Sequence, residues 1–174
     1  MKILIVYATT EGQTGKVCAF AFRHLVDAGE NVAMLTAESA GDVSPADFDA
    51  VVLAASVHMG KYQPSLIKFA STHAATLNAK KTLFLSVSLA AAGTDPEELA
   101  DLDRIANAFS AGTGWTPSRV AHVAGAFKFE EYDFFRYWAM RWIEGKKDSD
   151  VKPGTDREYT DWEGLKALLD DWRG

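Results

Sequence analysis

Apolar positions fall in short blocks separated by amphipathic stretches. Ile3-Leu4-Ile5-Val6-Tyr7 is an unbroken apolar run, the pattern of a strand covered on both faces. Thr14 to Ala28 carries Val17, Ala21, His24, Leu25 and Ala28 on one stripe, a spacing that predicts a helix. Gly29 stands where a left-handed residue would end it. Asn31–Thr36, Asp49–Ala55, Thr82–Val87 and Arg119–Phe127 predict four more strands. Gln63–Leu77 predicts a helix with Pro64 in its first turn, where a missing N–H does no harm. Pro96–Phe109 predicts another, with Asp95, Glu97 and Glu98 at the end where the macrodipole favours acids. Asp161–Trp172 predicts a closing helix.

Strands alternating with helices predict an α/β fold, a five-stranded parallel sheet with helices on both faces. The chain between the fifth strand and the last helix is long enough to read as functional or as an insertion. It holds a strongly aromatic helical pattern, Glu131 to Gly145, followed by a polar stretch over 145–160 that reads as irregular. The expected organisation is a single domain, 1–174, with a helical insert at about 128–158.

Composition narrows the function classes. With 174 residues, 48% hydrophobic and 24% charged, the chain can bury a core without a disulfide or metal staple. Cys18 is the only cysteine, which excludes an intramolecular disulfide and zinc-finger or iron–sulfur ligation, and points to a reducing, cytoplasmic compartment. No metal site is expected. A net charge of −6 argues against general nucleic-acid binding. The apolar run 3–8 is too short for a signal-peptide core, and no stretch of about 18 apolar residues could span a membrane.

The first strand runs into Ala8-Thr9-Thr10-Glu11-Gly12-Gln13-Thr14-Gly15. A strand, a loop of hydroxyls and glycines, and a helix N-terminus make an anion site. Thr10 stands where a dinucleotide fingerprint needs its first glycine, and again where a Walker loop needs one; Val17 replaces the Walker Ser or Thr. A cradle of hydroxyls and amides without an obligatory lysine suits one terminal phosphate. The alternative is a threonine N-cap with ordinary turn chemistry. Lys16 reads as a solvated first-turn residue.

With these residues the sequence resembles the flavodoxins, whose loop for the phosphate of flavin mononucleotide (FMN) is similar to Thr9-Thr10-Glu11-Gly12-Gln13-Thr14. A hydroxyl residue commonly stands at the position of Glu11, so this carboxylate is expected to turn outward and offer only its N–H. The resemblance implies a flavodoxin-like fold. It also implies an isoalloxazine held between the loop after strand three, Ser56-Val57-His58-Met59-Gly60, and the loop after strand four, Ser86-Val87-Ser88-Leu89. In open α/β sheets ligands bind at the carboxyl ends of strands.

A longer reading is narrower. Ala55 to Tyr62, Ser86 to Leu89, Ala124-Gly125-Ala126 and Tyr159-Thr160-Asp161-Trp162-Glu163 together resemble the menaquinone-dependent protoporphyrinogen dehydrogenases, flavodoxin-like enzymes of haem biosynthesis. The resemblance implies an FMN-dependent oxidoreductase taking hydrogen from a porphyrinogen-type substrate and passing electrons to a quinone. It also implies peripheral contact with the inner face of the cell membrane. A flavodoxin acting as a non-enzymatic electron carrier is the alternative, and the acidic balance favours it.

Tyr132, Phe134, Phe135, Trp138, Ala139, Trp142 and Ile143 share one arc of the 131–145 helix. That arc suits core packing, an interfacial helix on a bilayer or a wall of stacking rings. Residues 119–147 carry six Lys and Arg against four acids, a sign opposite to the rest of the chain. His58 could serve the flavin or move a proton, or simply face solvent. His24, His73 and His122 fall on element patterns and read as structural. Trp115 could cover the flavin or anchor its loop, and Tyr62 is the nearest aromatic to the flavin loops. Cys18 reads as a small hydrophobe. Thr160 or Asp161 could cap the last helix with Glu163 at the capping-box position. No residue is compelled as a catalytic acid or base.

Overall fold

The computed structural model describes residues 1–127 and 157–174. Five strands, β1 (Lys2–Ala8), β2 (Asn31–Thr36), β3 (Ala50–Ser56), β4 (Lys81–Ser88) and β5 (Arg119–Ala124), form one sheet in the order β2-β1-β3-β4-β5. All neighbours are parallel. The chain leaves β1 toward β2 and then returns to its other side as β3, which puts the switch point between β1 and β3.

Side chains alternate across β1 and divide the core in two. Ile3 and Ile5 face α1 (Gln13–Asp27) and the final helix, meeting Val17, Cys18, Ala21, Leu25, Leu165, Leu169 and Trp172. Leu4 and Val6 face the opposite layer, meeting Leu66 and Phe69 of α2 (Pro64–Thr72), Leu77 of α3 (Ala74–Asn78) and Phe109 of α4 (Pro96–Thr113). Both faces are covered, so the central strands read as apolar runs and not as alternations. Cys18 is wholly buried in the α1 layer, and that burial pushes its thiol upward.

Where boundaries moved, local chemistry explains it. The helix expected over 63–77 is two helices that meet at His73, within a Ser-Thr-His run of weak helix formers. Helix α4 runs past Phe109 to Thr113, whose hydroxyl donates to the Phe109 carbonyl at 2.9 Å. It stops at Gly114, held at φ 73°. Helix α1 ends as its sequence indicates. Gly29 is left-handed at φ 88°, and the Gly29 and Glu30 N–H groups donate to the Val26 and Leu25 carbonyls at 2.9 and 3.0 Å.

The fifth strand is shorter than its pattern. It leaves the sheet at Gly125, and β6 (Ala126–Phe127) pairs antiparallel with β7 (Arg157–Glu158). The stretch 145–160, expected to be irregular, thus contains a strand at its end. The last helix, α5 (Trp162–Arg173), is capped by Asp161, whose carboxylate accepts the Gly164 N–H at 2.9 Å. Glu163 is one position too early for a capping box. A Cβ on Gly164 would lie 2.5 Å from the Asp161 carboxylate, so a larger residue there would make that carboxylate shift. The aromatic 131–145 helix and most of the expected insert lie outside the described residues. Among the described residues no helix is long and apolar enough to cross a membrane.

Candidate functional site

A cleft opens at the carboxyl ends of the central strands, lined by the loops that follow β1, β3, β4 and β5. Its floor is the β1–α1 turn. Gly12, at φ 90°, adopts a backbone that other residues resist, and its N–H donates to Thr9 Oγ1 at 2.9 Å. The first helical hydrogen bond runs from the Lys16 N–H to the Gly12 carbonyl, so the N–H groups of Gln13, Thr14 and Gly15 have no acceptor within the helix. No side chain caps this terminus and no acid stands in its first turn. Thr14 is wholly buried, and among the described residues its hydroxyl has no hydrogen-bond partner. A buried hydroxyl left unpaired is costly. Beside uncapped amides at a positive helix end, it is the donor set of an anion site.

Two loops stand over this floor. After β3, the His58 and Lys61 backbones exchange hydrogen bonds of 2.8 and 3.0 Å. Met59 and Gly60 form the tip, both left-handed, at φ 49° and 74°, as a type I′ turn requires. Gly60 tolerates this; Met59 does so under strain. The Val57 N–H donates to the Val87 carbonyl at 2.8 Å, which ties this loop to the end of β4. After β4, Ser88 Oγ accepts the Ala91 N–H at 3.2 Å and starts a short 3-10 turn.

Of the residues singled out in the sequence, Thr9, Thr10, Glu11, Gln13, Thr14, Ser56, Val57, His58, Val87, Ser88 and Leu89 line the cleft. Gly12 turns the backbone at the floor but is itself exposed and outside the lining. Met59 is 81% exposed at the turn tip, with Gly60 beside it, away from the lining. Ser86 points into the core, where its hydroxyl meets the Tyr62 hydroxyl at 2.8 Å. Tyr62 is core as well, set edge-on to Phe84 and Phe109 at 5.0 Å. Burial pushes its phenol up to about 12, with the Ser86 hydrogen bond pulling the other way. Trp115 is fully buried against Phe84 and Phe109 and anchors its loop. Lys16 faces solvent and sits 3.8 Å from Glu158. His24 pairs with Asp170 at 2.7 Å and His122 with Asp103 at 3.0 Å, both structural roles.

Sequence reasoning missed four participants. Gln63 Nε2 donates to Thr10 Oγ1 at 3.0 Å and Ser56 Oγ at 2.6 Å, joining the floor to the β3 loop. Its signal was its place: it stands at the N-cap of α2, where Ser, Thr, Asp or Asn is preferred. Gly125 and Ala126 add a wall where β5 leaves the sheet; a glycine within a strand pattern signals such a break. Thr160 accepts from Gln13 Nε2 at 2.9 Å and donates to the Ala124 carbonyl at 2.8 Å. Nothing local in the sequence marks that long-range contact.

Comparison with known proteins gives the family and the fold. Residues 4–152 match the family described as Flavodoxin domain. The chain is 27% identical over 164 residues to a protein of Escherichia coli K12 named protoporphyrinogen IX dehydrogenase [quinone], covering 94% of this chain and 90% of that one. A protein of the same name from Leishmania major is 26% identical over 172 residues, covering 98% and 74%. Among solved structures, oxidised flavodoxin 1 of Bacillus cereus superposes with a TM-score of 0.59 at 12% identity, covering 99% of this chain and 97% of that one.

Proposed function

The chain belongs to the flavodoxin-domain family, and on that premise we propose that it is an FMN-dependent oxidoreductase that dehydrogenates protoporphyrinogen IX and passes the electrons to a quinone. The observation that carries the cofactor half is the unpaired, buried Thr14 hydroxyl beside uncapped helix amides. A phosphate monoester supplies the acceptor this set lacks. The name shared by relatives aligned over most of the chain supports the substrate half. FMN, when bound, supplies hydride acceptance and electron delivery.

The chain's own residues bind and orient. The Thr10 and Thr14 hydroxyls and the amides of Glu11, Gln13 and Thr14 would take the terminal phosphate, while Thr9 and Gly12 fix the turn through their own hydrogen bond. Ser56, Val57 and His58 on one side and Val87, Ser88 and Leu89 on the other line the cleft and would hold the ring. Met59 and Gly60 shape the first of these loops, and Ser86 anchors the second. His58 brings an imidazole to the cleft, the side chain suited to accepting a substrate proton. The aromatic run 131–145 is our assignment for contact with quinone and lipid, at the inner face of the membrane.

The test is anaerobic turnover of FMN-loaded protein with protoporphyrinogen IX and menaquinone, with and without lipid vesicles. Porphyrin fluorescence should appear together with reduced menaquinone, faster with lipid. FMN that binds and is reduced only by electron-transfer proteins, in two one-electron stages, would assign the carrier reading instead.

A further inference from the structure

Thr160 sits at a node that joins the floor of the cleft to the base of segment 128–156. Its hydroxyl has one proton, and that proton goes to the Ala124 carbonyl at 2.8 Å. Toward Gln13 it can therefore only accept, and the Gln13 amide donates at 2.9 Å across 147 positions of chain. The relay has one polarity, from the Gln13 amide through the Thr160 hydroxyl to the Ala124 carbonyl, and each bond polarises the next. Gln13 is the first residue of α1 and is almost fully buried. Its backbone N–H belongs to the anion floor while its side chain reaches out to the node.

The neighbouring bonds bring further strands of chain to the same place. Gly125, which lines the cleft, donates to the Ser88 carbonyl at 2.9 Å and accepts from the Tyr159 N–H at 3.1 Å. Immediately beyond lie β6 and β7, which among the described residues pair through Ala126 with Glu158 and Phe127 with Arg157. A two-stranded ribbon by itself is marginally stable at best. The node holds it, and Lys16 and Glu158 approach across the same seam.

We propose that Thr160 is a positioning residue that couples occupancy of the phosphate loop to the closure of the β6–β7 stem. The coupling rests on the cofactor reading above. When an anion draws the first turn of α1 around itself, Gln13 is fixed, and the relay passes that order to both strands from which segment 128–156 departs. Linkage makes the effect reciprocal, so a closed stem raises mononucleotide affinity by the same factor.

The experiment is amide hydrogen exchange over 124–127 and 157–161, read without and with saturating FMN, alongside FMN affinity by flavin fluorescence quenching. In the native chain FMN should slow exchange in both stem strands. Thr160→Val should abolish that slowing and weaken FMN about fivefold, the value of one hydrogen bond, while Thr160→Ser restores both. Gln13→Met should match Thr160→Val, and the double variant should lose no more than either single. Equal protection of the stem in Thr160→Val, or single-variant losses that multiply in the double, would overturn the coupling. A native chain that binds no FMN would defeat the cofactor reading instead. The relay would then stand or fall on whether Gln13→Met speeds stem exchange in the unliganded protein.

Discussion

Helices α1 and α4 begin in opposite ways. At α4 the Asp95 carboxylate accepts the Glu97 N–H at 2.8 Å, Pro96 removes one orphan donor, and Glu97 and Glu98 meet the dipole. At α1 there is no capping side chain and no first-turn acid, a left-handed glycine stands at the cap, and a buried threonine hydroxyl has no partner. One terminus has satisfied itself from its own sequence; the other is left open to something outside the chain. An incomplete helix start at the end of a central strand is thus a better mark of a binding site than a well-made one.

That contrast can be tested from its strongest point outward. Thr14→Asp places a carboxylate where we propose that the phosphate binds. Two like charges about 4 Å apart cost roughly 4 kcal/mol at an effective dielectric constant near 20, so FMN affinity should fall on the order of a thousandfold in a fluorescence titration. Tyr62 is the satisfied counterpart to Thr14, a buried hydroxyl with a partner. Its folded pKa, about 12, lies above the ordinary 10.0. Its contribution is therefore whole below pH 10 and is lost as pH rises through 12. The unfolding free energy from denaturant titrations should decline across that window by on the order of 2 kcal/mol, and Tyr62→Phe should remove this part of the decline.

Thr14→Val should separate the two kinds of helix start by sign. It removes an unpaired hydroxyl, so the cofactor-free protein gains about 1 kcal/mol in urea denaturation, while FMN binds about tenfold more weakly. Asp95→Ala should do the opposite in kind. It costs about 1 kcal/mol, or roughly 2–4 °C in Tm, and leaves FMN affinity unchanged. If Asp95→Ala weakened FMN as much as Thr14→Val, the distinction between the two termini would fail.

The elements that were legible in advance are those whose signal is local. The central strands β1, β3 and β4 announced themselves as apolar runs because both faces are covered, and the α1 stop was written in Gly29. The loop 9–14 was legible for the same reason, since hydroxyls, glycine and a helix start lie together in sequence. What stayed hidden depends on distance. Gln63 acts by bridging Thr10 and Ser56, and Thr160 by reaching Gln13; neither pairing leaves a spacing to read. The Ser86 and Tyr62 side chains share one explanation. Their neighbourhood pointed to the cleft, but each turns inward to complete the other's hydrogen bond. The departure of β5 at Gly125 was concealed by apolar residues that continue the pattern through Phe127 after the sheet has ended.

Cys18 gives this chain an internal clock. It is the sole sulfhydryl, sealed in the layer behind α1, so an alkylating reagent reaches it only when that helix lifts away. Labelling kinetics in native buffer would then time the opening of the scaffold beneath the phosphate turn, with no engineered probe and no competing thiol.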